Sequence, residues 1–127
     1  MRLTASRLLV IATFLHGCAA FEGQVDCPSL DLKATKLAAE KDLDEAAKAF
    51  DQAIASCPRD ASRLTSRGVL YAAMGHREKA AETLNEAVSV AQERGDACRA
   101  DLAKAELAVI NGSPPLSSLP SSCKSSR

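Results

Sequence analysis

Four cysteines, Cys27, Cys57, Cys98 and Cys123, are the residues best suited to covalent chemistry, and their spacing decides which chemistry that is. The gaps are long and include no Cys-x-x-Cys pair. A structural zinc site draws on closely spaced cysteine and histidine ligands, and the only histidine after the first twenty residues is His76. Disulfides are therefore expected, and no metal ion. His76 falls in a predicted turn without a cysteine near it in sequence, so it reads as solvated rather than as a general base. Asp42, Asp44 and Glu45 cluster at a predicted helix start, where negative charge favours the positive end of the helix dipole. Ser117, Ser118, Ser121 and Ser122 have neither a base nor an ordered scaffold. With no glycine-rich phosphate loop either, the chain reads as non-catalytic and without a cofactor.

The N-terminus bears on the redox compartment. Arg2 and Arg7 precede an apolar run from Leu8 to Leu15, and His16-Gly17-Cys18-Ala19-Ala20 follows as a stretch of mostly small residues. This is the layout of a secretory signal, and the run is too short to span a bilayer as a helix. Two exits are expected. Cys18-Ala19-Ala20 fits cleavage before Phe21, whereas Leu15-His16-Gly17-Cys18 resembles a lipobox that would leave a lipidated Cys18. The first product is periplasmic or secreted, and the second is a membrane-anchored lipoprotein. Either route takes Cys18 out of the thiol count and leaves an even set of four, as a disulfide framework requires.

Helices must position those four residues. Apolar periodicity and breakers predict five: about Ser29 to Glu40, Asp44 to Ser56, Ala61 to Met74, Arg77 to Arg94, and a fifth ending at about Ile110. Asp42 is the expected N-cap of the second. Pro58-Arg59-Asp60, Gly75-His76 and Gly95-Asp96 separate later helices. Four cysteines allow three connectivities. A tight first hairpin would bring Cys27 to Cys57, and a tail folding back after Pro114-Pro115 would bring Cys123 to Cys98, so that pairing is favoured. The expected organisation is a leader at 1–20, a helical domain at 27–111 and a Ser/Pro-rich tail at 112–127.

The helices also repeat. Ala46 and Ala80, Phe50 and Leu84, and Ala53 and Ala87 are each 34 positions apart, the period of a two-helix solenoid unit. In each unit the three fall at i, i+4 and i+7, lining one helix face that a single unit cannot bury. The second unit reads Leu64, Arg67-Gly68, Tyr71, Gly75, Ala80, Leu84 and Ala87, which closely resembles the tetratricopeptide repeat signature. The first unit matches in its second helix through Ala46, Phe50, Ala53 and Pro58. Its first helix departs, with Lys33, Ala34, Leu37 and Lys41 in place of leucine, glycine, tyrosine and glycine. The resemblance implies an all-α fold of antiparallel helix hairpins stacked as a short right-handed superhelix. It would comprise about one and a half repeats and a fifth, capping helix. Small residues at Ala34 and Gly68 would admit close helix approach, with Phe50, Leu84 and Tyr71 filling the spaces between helices.

What the resemblance implies for function is a concave face built from the first helix of each pair. Carried onto this sequence, that face comprises Asp31, Thr35 and Ala38, then Ser62, Thr65, Val69 and Ala72, with Arg99 and Glu106 as the next wall. An unidentified protein or peptide segment is the expected partner, in an exported adaptor of the cell envelope. The alternative is a secreted or lipid-anchored structural or regulatory helical domain without a peptide groove. Nucleic acid is excluded as a partner, because cleavage after Ala20 leaves 14 basic against 16 acidic residues. Aromatic residues make up 3% of the chain, too few for a base-stacking platform. A membrane contact is expected only through a lipidated Cys18.

Overall fold

Capping and turn residues set where each helix begins and ends. The structure, a computed structural model, describes residues 26–124; the leader, Cys18 and the cleavage position before Phe21 lie outside the described residues. Five α-helices follow in order: α1 Cys27–Ala39, α2 Leu43–Ser56, α3 Ala61–Ala73, α4 Arg77–Glu93 and α5 Ala97–Ile110. A short 3₁₀ turn, Ser121–Cys123, closes the described chain, and no strand occurs among the described residues. Helix α1 starts two residues before the expected Ser29. The Asp26 carboxylate caps it by accepting from the Ser29 amide at 3.3 Å, and Pro28 is tolerated in the first turn, where its missing N–H has no helical partner. Asp60 and Asp96 cap α3 and α5 through the amides of Arg63 and Arg99, each at 3.0 Å. Asp42 differs from expectation: its side chain makes no capping bond, and negative charge in the first turn of α2 comes from Asp44 and Glu45.

The turns repeat even where the sequence does not. At the end of α3, Gly75 takes φ +81° and the amide of His76 donates to the Tyr71 carbonyl at 2.9 Å. Thirty-four residues earlier, Lys41 takes φ +62° and the amide of Asp42 donates to the Leu37 carbonyl at 3.0 Å. Both are helix C-terminal turns closed by a left-handed residue. A lysine there carries a Cβ penalty that glycine lacks. The first unit thus adopts the backbone of the second without its glycine.

Two apolar cores lie on either side of α3. One gathers Ala34, Ala46, Ala49, Phe50 and Leu70 from α1, α2 and α3; the other gathers Ala61, Leu64, Ala87, Val90, Ala91, Ala100 and Ala103 from α3, α4 and α5. Alanine predominates in both, so the helices approach closely. At Gly68 α3 lies close against α4, since a Cβ built there would stand 2.6 Å from Leu84 Cγ. Phe50 is 3% exposed and Leu84 fully buried, and burying side chains of that size contributes about 1.5–3 kcal/mol each. Tyr71, expected to fill the core, is only half-buried. Its ring lies 5.1 Å from the Arg67 guanidinium, its hydroxyl accepts from Arg67 Nη2 at 3.0 Å, and His76 meets it edge-on.

Helices α1 with α2, α3 with α4 and α4 with α5 pack extensively, whereas α2 meets α3 more lightly. Cys27 is bonded to Cys57 with Cα atoms 5.9 Å apart, which closes the α1–α2 pair. Side-chain bonds then tie that pair and the linker after it to the helices that follow. Arg63 of α3 reaches back to Asp31 of α1 through two bonds, Nε to Oδ1 at 2.6 Å and Nη2 to Oδ2 at 2.8 Å, and also donates to the Pro58 carbonyl at 2.9 Å. Arg94, after α4, donates to the Arg59 carbonyl, and Arg59 pairs with Glu86 at 3.2 Å. The second disulfide, Cys98–Cys123, brings the tail back to α5 with Cα atoms 4.6 Å apart.

Candidate functional site

An open groove of about 480 Å³ runs between α1, α3 and α5, the first helices of successive pairs. Thr35 and Ala38 come from α1, Leu43 and Phe50 from α2, Thr65, Ser66, Val69, Leu70 and Ala73 from α3, and Glu106 from α5. Because α3 bears on both cores, its orientation is fixed from two sides and Val69 is held outward, 42% exposed. Thr35 and Thr65 turn their hydroxyl protons onto the Asp31 and Ala61 carbonyls, each at 2.8 Å, so towards the groove their oxygens have only lone pairs to offer. Glu106 is the one charged lining residue and enters no ion pair among the described residues. The lining is thus apolar with acceptors and one acid, suited to an apolar segment bearing a donor or a positive charge.

Five of the nine expected concave-face residues meet here: Thr35, Ala38, Thr65, Val69 and Glu106. The other four are placed differently. Asp31 is held by Arg63, whose side chain is 8% exposed; that hydrogen bond raises the guanidinium pKa further, and the pair fastens α1 to α3. Ser62 and Arg99 bond each other, Nε to Oγ at 2.6 Å, and Arg99 also pairs with Asp96. The Arg99 amide and guanidinium hold the Asp96 carboxyl below the usual carboxylate range. Ala72 is half-buried and outside the lining. Sequence reasoning missed Leu43, Ser66, Leu70 and Ala73 as groove residues and assigned Phe50 to the core alone. Ser66, Leu70 and Ala73 flank Thr65 and Val69 on α3, and that adjacency was the available signal. The Arg63–Asp31 pair had no local signal, since it joins two helices 32 residues apart.

A second cavity, about 430 Å³, lies between α5 and the tail, lined by Leu102, Ala105, Glu106 and Val109 on one side and Pro115 to Leu119 on the other. Glu106 lines both spaces. No group of three or more His, Cys, Asp or Glu residues that could hold a metal ion occurs among the described residues. His76 is exposed at the start of α4. No helix among the described residues is long and apolar enough to cross a membrane.

Comparison with known proteins adds one match. The family model of anaphase-promoting complex subunit 5 aligns with residues 40–111, which takes in α2 to α5 and leaves out α1, the helix whose sequence departs most from the repeat pattern. No curated protein and no solved structure matches the chain. The match covers more than half of the sequence, and the chain belongs to the anaphase-promoting complex subunit 5 family, a helical repeat-type domain.

Proposed function

We propose that this protein is an exported, non-catalytic adaptor of the tetratricopeptide type that binds an extended or helical segment of a partner protein in the groove between α1, α3 and α5. The observation that carries this reading is the convergence of three first helices on one apolar groove with a single charged residue, Glu106. The family takes its name from a subunit of a larger complex, which supports assembly through protein contact. Export is supported by the leader-like residues 1–20 and by two disulfides, which persist in oxidising compartments. N-terminal sequencing of the protein recovered from its own cells tests export. A start at Phe21 or a lipidated Cys18 is expected, and an intact Met1 in a cytoplasmic fraction would overturn it.

Affinity capture tests the groove. The oxidised protein and a Thr65→Glu, Val69→Glu version of equal helicity are presented to the same envelope extract. A protein retained by the first and lost by the second is expected, because two carboxylates beside Glu106 fill the groove with charge. Identical retention by both would remove the groove as the binding site.

A further inference from the structure

The tail from Ser113 to Cys123 is fastened to α5 very differently from the way α1 is fastened to α2. Its only regular structure is the 3₁₀ turn Ser121–Cys123, and Leu116 and Leu119 remain 54% and 62% exposed over the second cavity. Its one side-chain hydrogen bond to the helices runs from Ser122 Oγ to Asp101 Oδ2 at 2.7 Å. Half-covered leucines and one exposed hydrogen bond hold weakly. Covalent attachment through Cys98–Cys123 therefore keeps the tail in place. Beneath it lie Leu102, Ala105 and Val109, the part of α5 on which another repeat would stack.

We infer that the tail is a thiol-releasable strap over the free end of the helical array, with Cys98–Cys123 as its latch. A dithiol reductant is the chemical class that opens it. Its thiolate attacks one latch sulfur and breaks the S–S bond, giving a mixed disulfide and a free cysteine thiolate, and its second thiol then displaces the other cysteine. Two electrons pass to the latch, two protons leave both cysteines as thiols, and the reductant departs as a disulfide. Cys27, Cys98 and Cys123 are all half-exposed and only Cys57 is buried, so a thiolate reaches one sulfur of the first bond and both sulfurs of the latch. What separates the two bonds is the consequence of opening. If Cys27–Cys57 opens, the α1–α2 packing and the Arg63–Asp31 pair hold the sulfurs together for re-closure. If Cys98–Cys123 opens, the tail swings away and the effective concentration of Cys123 at Cys98 collapses. Opening the latch uncovers the α5 surface, including the side of Glu106 turned away from the groove.

The full oxidised protein is titrated with dithiothreitol, trapped with N-ethylmaleimide and mapped by mass spectrometry. Cys98 and Cys123 are expected to reach half-modification at about tenfold lower dithiol than Cys27 and Cys57, with the far-ultraviolet circular dichroism unchanged. Opening of Cys27–Cys57 first, or of both bonds together, would overturn the proposal. A Cys98→Ser, Cys123→Ser version gives an independent readout by amide hydrogen exchange. Loss of protection confined to residues 114–124 supports a strap, and loss that spreads through α5 would show the tail to be part of the core.

Discussion

Replacing Gly68 by alanine would set a methyl carbon 2.6 Å from Leu84 Cγ and 2.9 Å from Leu84 Cδ2, with the Ala80 carbonyl oxygen at 3.3 Å. The nearest atom is the branch point of a fully buried leucine, so relief requires the whole side chain to rotate or α3 to move off α4. Overpacking of this kind costs about 1–3 kcal/mol, and a clash with two atoms of a buried side chain beside fixed backbone belongs at the upper end. Alanine is favoured over glycine in a helix interior by about 1 kcal/mol, which acts in the opposite direction. The net expectation is a loss of about 2 kcal/mol, or roughly 10 °C in melting temperature for a domain of this size. Thermal and urea unfolding followed by circular dichroism, with both disulfides intact, measures it. Leu84→Ala removes the two clashing atoms, so in that background Gly68→Ala should be neutral or stabilising. The same loss in both backgrounds, or no loss in the native one, would refute close α3–α4 approach as the reason for a glycine there.

Lys41→Gly should stabilise the protein by about 0.5–1 kcal/mol, because it relieves a left-handed lysine; a fall in the urea midpoint would contradict the turn geometry. Joint replacement of Cys27 and Cys57 by serine should cost about 2–4 kcal/mol, since that bond constrains the unfolded chain around a fold that keeps its ends fixed. The same change at Cys98 and Cys123 should cost under about 1 kcal/mol, because the tail regains freedom in the folded state as well; comparable urea midpoint shifts for the two pairs would contradict the distinction. Asp96 and Glu45 have carboxyl pKa values lowered, Asp96 chiefly by the Arg99 amide and Glu45 by its hydrogen bond from Lys48. Their stabilisation is present above the ordinary carboxylate values of 3.8 and 4.5 and is lost as pH falls below them through the lowered folded values. Asp96→Asn keeps a capping oxygen but removes its titration, so its melting temperature should fall less steeply below pH 4; an unchanged slope would exclude Asp96 as a contributor.

The helices were legible because their signals are local. Pro58, Gly75 and Gly95 break the chain where the structure turns, and the 34-residue recurrence of small and bulky positions marked Ala46, Phe50, Ala80 and Leu84 as core, where all four are buried. The cysteine pairing followed from hairpin geometry for the same reason. Tyr71 was misjudged because the repeat pattern assigns it to the core, whereas Arg67 and Lys79 stand by its ring at 5.1 and 5.9 Å and hold it at the surface. The first turn was placed correctly between about Glu40 and Asp44, but its left-handed residue was not legible, since lysine at position 41 argues against the conformation it takes. In the groove, Thr65 and Val69 were legible from their register on α3. The loss of Asp31 to Arg63, and of Ser62 to Arg99, depended on contacts 32 and 37 residues apart that no periodicity encodes.

Position-specific photocrosslinking in living cells tests the adaptor reading most directly. A photoreactive residue at Val69 reports on the groove, and one at Asn85, exposed on α4 and outside its lining, reports on the rest of the array surface. The groove reading predicts a discrete crosslinked product from Val69 and none from Asn85. A product from Asn85 alone, or none from either position, would contradict a partner held between α1, α3 and α5.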